Sequence, residues 1–198
     1  MLKEHPQYTG LLTIRPDGRL FCDSLRSGRD LLLTDRRYFQ QALAPKSSLA
    51  LEPAFGRLTG KAVLQIAYPA RDEGGALRFV LLASLDLDMF MRSRARGLPY
   101  ETAVLLLMDG KGTVLTWHPG EELRPGASLA GSALHRLVQQ RESGGTHEEI
   151  ESGGVARVWA VAAPDARVIP GADLHVLVGV SRDELTAAAH RRMRPTLI

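Results

Sequence analysis

Residues 10–14 form an apolar run of strand length, Pro16, Asp17 and Gly18 make a strong turn, and residues 19–22 return as a second short strand, so the chain opens on a hairpin. After a polar loop, Thr34 is placed to cap a short helix over residues 35–43, which Pro45 stops. Two longer strands follow, over 61–68 (ended by Pro69) and 77–85, joined through Asp72, Glu73, Gly74 and Gly75. Residues 86–94 read as a connecting helix.

The second half repeats that order. A strand over 103–108 meets its partner over 113–117 across Asp109, Gly110, Lys111 and Gly112. Apolar Ala133, Leu134, Leu137 and Val138 share one face of a helix over 132–140. Strands over 147–151, 155–162 and 174–180 follow, with turns at Gly153-Gly154 and Pro170-Gly171. The chain leaves through a helix over 181–193 whose Ser181 and Glu184 have the spacing of a capping box. Asp109-Gly110 lies 92 residues after Asp17-Gly18, and Gly131 lies 96 after Asp35. Such spacing predicts two tandem α+β modules, residues 1–94 and 95–198, each an antiparallel sheet flanked by helices.

Composition narrows the function classes. At 198 residues the chain can bury a core without metals or disulfides, and 44% hydrophobic with 24% charged residues describes a folded globular protein. A net charge of +3 would suit a nucleic acid only if the basic side chains converged on one surface. They are scattered, with local clusters at Arg92, Arg94 and Arg96 and at Arg191, Arg192 and Arg194, so no nucleic-acid partner is expected. Cys22 is the single cysteine, which excludes an intramolecular disulfide. No segment reaches the roughly 18 apolar residues of a bilayer-crossing helix, and residues 1–10 do not resemble a signal peptide. The abrupt end at Ile198 reads as the edge of a piece of something larger.

The run Thr34-Asp35-Arg36-Arg37-Tyr38-Phe39-Gln40-Gln41-Ala42-Leu43, preceded by Leu20-Phe21-Cys22-Asp23-Ser24, resembles the membrane-distal module of double Cache (PDC-like) sensor domains. Thr59-Gly60-Lys61, Ala67-Tyr68-Pro69 and residues 79–87 agree with that module in order and spacing. Met108-Asp109-Gly110 and Val178-Gly179-Val180-Ser181 resemble the membrane-proximal one. The resemblance covers residues 8–192 and implies two tandem PAS-like modules, with a long N-terminal helix of which only residues 2–5 are present. It also implies a periplasmic, extracytoplasmic domain held in an inner-membrane receptor, whose cytoplasmic output domain is a histidine kinase or diguanylate cyclase. Receptors of this kind commonly work as homodimers. No cofactor, metal or catalytic residue is implied for this chain.

In such domains a small-molecule ligand sits in the distal module, between the sheet and the helix and loops that cover it. Arg36, Tyr38 and Phe39 fall on that covering segment. A guanidinium offers a planar fork of donors to a carboxylate, and two rings supply desolvated walls, so an anionic or carboxylate ligand is expected. Equally, Arg36 can pair with a nearby acid while the two rings pack as core. Strand alternation puts Val80, Leu82, Ser84 and Asp86 on one face, with Ser84 and Asp86 its polar members. Gln65, between Val63 and Ala67, either reaches the pocket or faces an edge. Amino-acid-binding members of the family carry an acid about where Ser84 stands and a tyrosine where this chain has Leu31. Both positions depart, so an α-amino acid does not follow from the resemblance unless Asp86 supplies the carboxylate. Asp86 and Asp88 can share a cation, or Asp86 can cap the following helix.

Enzymatic readings find little support. His5, His118, His135, His147, His175 and His190 lack the spacing of a metal site, and Cys22 on its apolar strand reads as a small buried residue. A sensor domain, not an enzyme, is therefore expected. The other reading is a protein-interaction or dimerisation module with a degenerate, ligand-free pocket.

Overall fold

A computed structural model describes residues 4–44, 47, 49–120, 122–140, 148–152, 154–162 and 173–193. Leu2, Pro45, His147, Gly153, Pro170, Gly171 and Arg194, on which the sequence reading drew, lie outside the described residues. The chain divides into two compact units, the first ending its main run at Phe90 and the second starting at Met91.

In the first unit, β1 (Tyr8–Ile14) and β2 (Leu20–Asp23) form the hairpin, and α1 (Arg37–Leu43) packs against the strands β3 (Ala50–Phe55), β4 (Ala62–Arg71) and β5 (Leu77–Asp86). These five strands make one antiparallel sheet in the order β2-β1-β5-β4-β3. Helix α2 (Leu87–Ala95) follows β5 directly. The second unit contains β6 (Val104–Met108), β7 (Val114–His118), α3 (Ala133–Gln139), β8 (Glu148–Ser152), β9 (Val155–Ala162) and β10 (His175–Ser181), and ends in α4 (Arg182–Met193). Its sheet order, β7-β6-β10-β9-β8, is that of the first unit. Two tandem α+β modules of PAS-like build are thus present, as the repeat in the sequence predicts.

The pattern did not anticipate β3. Its Pro53, opposite Leu64, breaks the reading of a strand, yet β3 is an edge strand, where a missing N–H costs no ladder bond. Helix α1 also starts later than expected, and Thr34 is not its cap. Its N-cap is Arg36, whose side chain does not cap. The Glu52 carboxylate reaches across from β3 and accepts the Tyr38 N–H at 2.7 Å, a charge-assisted bond that replaces a local Thr hydroxyl. In α3 the cap is local: Ser132 Oγ accepts the His135 N–H at 3.2 Å.

The repeat register is set by the hairpin glycines. Gly18 and Gly112 both have φ of +83°, and their carbonyls accept the N–H groups of Leu33 and Leu129 at 2.9 and 2.8 Å. They lie 94 residues apart, so Gly112, not Gly110, answers Gly18. A Cβ would come within 2.4 Å of the Thr34 side chain at Gly18 and 2.9 Å of the Ala130 backbone nitrogen at Gly112.

Alternation places Val63, Gln65 and Ala67 of β4 and Val80, Leu82, Ser84 and Asp86 of β5 on the buried face. There Ile14, Leu33, Tyr38, Phe39, Ala42 and Val80 form the first core. The opposite face is open, with Tyr68 53% and Leu81 44% exposed. Cys22 is exposed, contrary to the expectation of a buried residue, because β2 is an edge strand. The second core gathers Leu106, Met108, Leu137, Trp117, Trp159 and Leu177.

Candidate functional site

Four residues stand side by side across the first sheet: Gly10 on β1, Ser84 on β5, Gln65 on β4 and Glu52 on β3. Ser84 and Gln65 are 6% and 5% exposed, and the Ser84 hydroxyl donates to Gln65 Oε1 at 2.7 Å. That leaves the Gln65 amide nitrogen without a protein partner among the described residues. Thr9 Oγ1 donates to the Ser84 carbonyl at 3.3 Å. Glycine at position 10 keeps the row low.

Above this row lies a cavity of about 20 Å³, room for about one water. Two arginines close it. Arg36 Nη2 donates to the Phe55 carbonyl at 3.2 Å, and the Arg57 guanidinium donates to the Leu32 carbonyl and the Asp35 carboxylate. These straps run in opposite senses between the same two segments, 32–36 and 55–57. Tyr38, 2% exposed, lines the cavity as well. Burial pushes its phenol well above the ordinary range, against the opposing charge of Arg36, so it remains a neutral hydroxyl.

Arg36, Tyr38, Gln65 and Ser84 therefore line one cavity, with Leu31 beside them. Phe39, 1% exposed, sits in the core among Ile14, Ala42 and Val80, and it is not among the cavity's lining residues. Asp86 lies outside the lining as well. Its Oδ2 is 2.9 Å from Lys61 Nζ, and its Oδ1 accepts the Met89 N–H at 3.0 Å, which makes it the cap of α2. Arg57 and Thr9 were not singled out from the sequence, and Thr59 entered only as part of the resemblance, not as a lining residue. Arg57 falls in a hairpin loop with no periodicity, and only the neighbouring Thr59-Gly60-Lys61 gave any signal there.

The corresponding row of the second unit is Val104, Gly179, Trp159 and Glu148. Trp159 takes the position of Gln65, and Gly179 that of Ser84. The indole is fully buried, 6.0 Å from Trp117, and lies so close over β10 that a Cβ at Gly179 would meet it at 2.8 Å. A ring thus fills the place that the first unit leaves open. His135, also in the second unit, is a structural tie. Its Nδ1 accepts the Gly131 N–H at 3.1 Å, and its Nε2 faces the Gly110 carbonyl at 3.0 Å.

Two five-stranded sheets of identical order, each with a short helix and an exit helix, make a fold of two tandem PAS-like α+β modules. No protein-family model matches the chain, and no curated relative matches it. Solved structures do. The extracellular domain of rpHK1S-Z16, described as a histidine kinase, superposes with a TM-score of 0.70 at 20% identity, covering 94% of this chain and 76% of that one. The ligand-binding domain of the Pseudomonas fluorescens chemoreceptor CtaA, solved with L-isoleucine, gives 0.64 at 17% identity over 95% and 75%. That of the Pseudomonas aeruginosa amino acid chemoreceptor PctB, solved with L-Arg, gives 0.60 at 21% over 92% and 75%. Among the described residues no helix is long and apolar enough to cross a membrane.

Proposed function

We propose that this chain is the extracytoplasmic sensing domain of a membrane receptor, and that its first unit holds a small anionic or carboxylate molecule between Arg36 and the Gln65–Ser84 pair. One observation carries the reading. Matching rows of the two sheets differ in kind: the first presents Gly10, Ser84 and Gln65 to a cavity, while the second is plugged by Trp159. A merely structural repeat has no need of a buried polar pair beneath two guanidiniums. The small volume of about 20 Å³ favours the other reading, a ligand-free interaction module, unless the two arginine straps part to admit the molecule.

Parting them gives the signal a route. The loop that carries Arg57 and Thr59 continues into Lys61, which holds Asp86, and Asp86 caps α2 at the start of the passage to the second unit. Ser84 lies two residues before Asp86 on the same strand. A ligand that binds the opened state better than the closed one shifts this whole assembly by its differential affinity. The proposal extends through α4 to a cytoplasmic histidine kinase or diguanylate cyclase, with a homodimer as the working form.

Thermal unfolding of the protein against a panel of small carboxylates and inorganic anions tests the binding claim. A true ligand at a hundred times its Kd adds about 2.7 kcal/mol, which for a chain of this size raises Tm by roughly 5–10 °C. Calorimetry should then show roughly 30-fold or more weaker binding by Arg36→Ala with the fold intact. Unchanged affinity in that variant would remove Arg36 as the anchor, and a panel with no hit would favour the interaction module.

A further inference from the structure

Resting on the sensor reading above, we infer that the molecule received in the first unit is a short aliphatic carboxylate that bears an oxo or hydroxyl group beside the carboxylate and no ammonium. The lining is of two kinds. Leu12, Leu25, Leu31, Leu33, Leu58 and Leu82 form apolar walls, and the guanidiniums of Arg36 and Arg57 stand over them. Among the described lining residues there is no aspartate or glutamate. Carboxylates on the neighbouring segments are engaged elsewhere, Glu52 by the Tyr38 amide and Asp35 by Arg57.

Each part of the lining selects a part of the ligand. A guanidinium fork takes a carboxylate, and leucine walls take an aliphatic tail. An ammonium has no partner in the lining, because it would be desolvated beside the Arg36 guanidinium with no carboxylate among the described lining residues to pair it. At the floor, Ser84 gives its proton to Gln65 Oε1, so Gln65 presents N–H donors upward. An oxo or hydroxyl oxygen accepts from those donors, whereas an ammonium, which only donates, does not. A closed volume of about 20 Å³ holds one water, so such a molecule enters with the two arginine straps parted.

Calorimetric titration of the full 198-residue chain with α-ketoisocaproate, α-hydroxyisocaproate and L-leucine isolates the group beside the carboxylate, since all three share one aliphatic tail. The keto or the hydroxy acid should bind at least roughly tenfold more tightly than L-leucine. Ser84→Asp, which places a counter-ion at the floor, should shift the preference at least about tenfold toward L-leucine. If that variant does not fold, Gln65→Glu makes the same test from the neighbouring strand. L-leucine binding to the wild type as tightly as the two acids, or no binding by either acid, overturns this ligand class. The sensor reading stands in that event if another carboxylate binds in an Arg36-dependent way, and falls with it if none does.

Discussion

Trp159→Ala is expected to lower stability by about 3–5 kcal/mol, read as a drop in the urea midpoint at unchanged slope. The indole is fully buried at the centre of the second core, beside Trp117, and nothing near it can collapse into the space of two fused rings. Its neighbour supplies an internal control. At Gly179 a Cβ would lie 2.8 Å from two ring atoms of Trp159 and 2.9 Å from a third, a contact with a rigid plane that cannot swing aside. Gly179→Ala should therefore cost about 1–3 kcal/mol in the wild type and much less in the Trp159→Ala background. Additive losses would mean that the ring does not plug this position, and the contrast between the two units would lose its basis.

Asp86→Ala should uncouple binding from response. The side chain has one oxygen on the Met89 amide and the other on Lys61, and it is 9% exposed while Lys61 is 60% exposed. Losing the cap costs about 1–2 kcal/mol of helix stability, whereas a pair so open on one side contributes less than about 1 kcal/mol. Lys61→Met, which leaves the cap in place, separates the two contributions. Hydrogen exchange reads the outcome directly: in Asp86→Ala the Met89 amide should exchange faster, and ligand-dependent protection of residues 87–95 should disappear, while affinity falls little because Asp86 does not line the cavity. Protection that persists in α2 would show that the signal leaves the first unit by another path.

Much of the architecture was legible because local chemistry and packing agree. Apolar runs punctuated by turns marked both hairpins, the Ser181 hydroxyl accepts the Glu184 N–H at the start of α4 where their spacing placed it, and alternation along β5 correctly put Val80, Leu82, Ser84 and Asp86 on one face. What escaped depends on distant partners. Glu52 caps a helix 14 residues away in sequence, so no local motif could reveal it, and it made Thr34 look like the cap. Pro53 is tolerated only because β3 is an edge, a property of the whole sheet. Of the cavity's lining, Arg36, Tyr38, Gln65 and Ser84 were expected there from the resemblance and from alternation. Arg57 sits in an aperiodic loop and becomes visible only when its guanidinium is seen to cross to Leu32 and Asp35. Gln65 and Trp159 occupy matching places, yet neither neighbouring sequence hints at it. The match emerges from strand register alone.

The most direct test is a crystal structure grown with the panel compound that raises Tm most. That compound is expected in the first unit, its anionic group on Arg36 and its neighbouring oxygen on Gln65, with the Arg36–Phe55 and Arg57–Asp35 straps parted. The compound lying in the second unit or on the surface, with the straps still closed over the cavity beside Ser84, would contradict it.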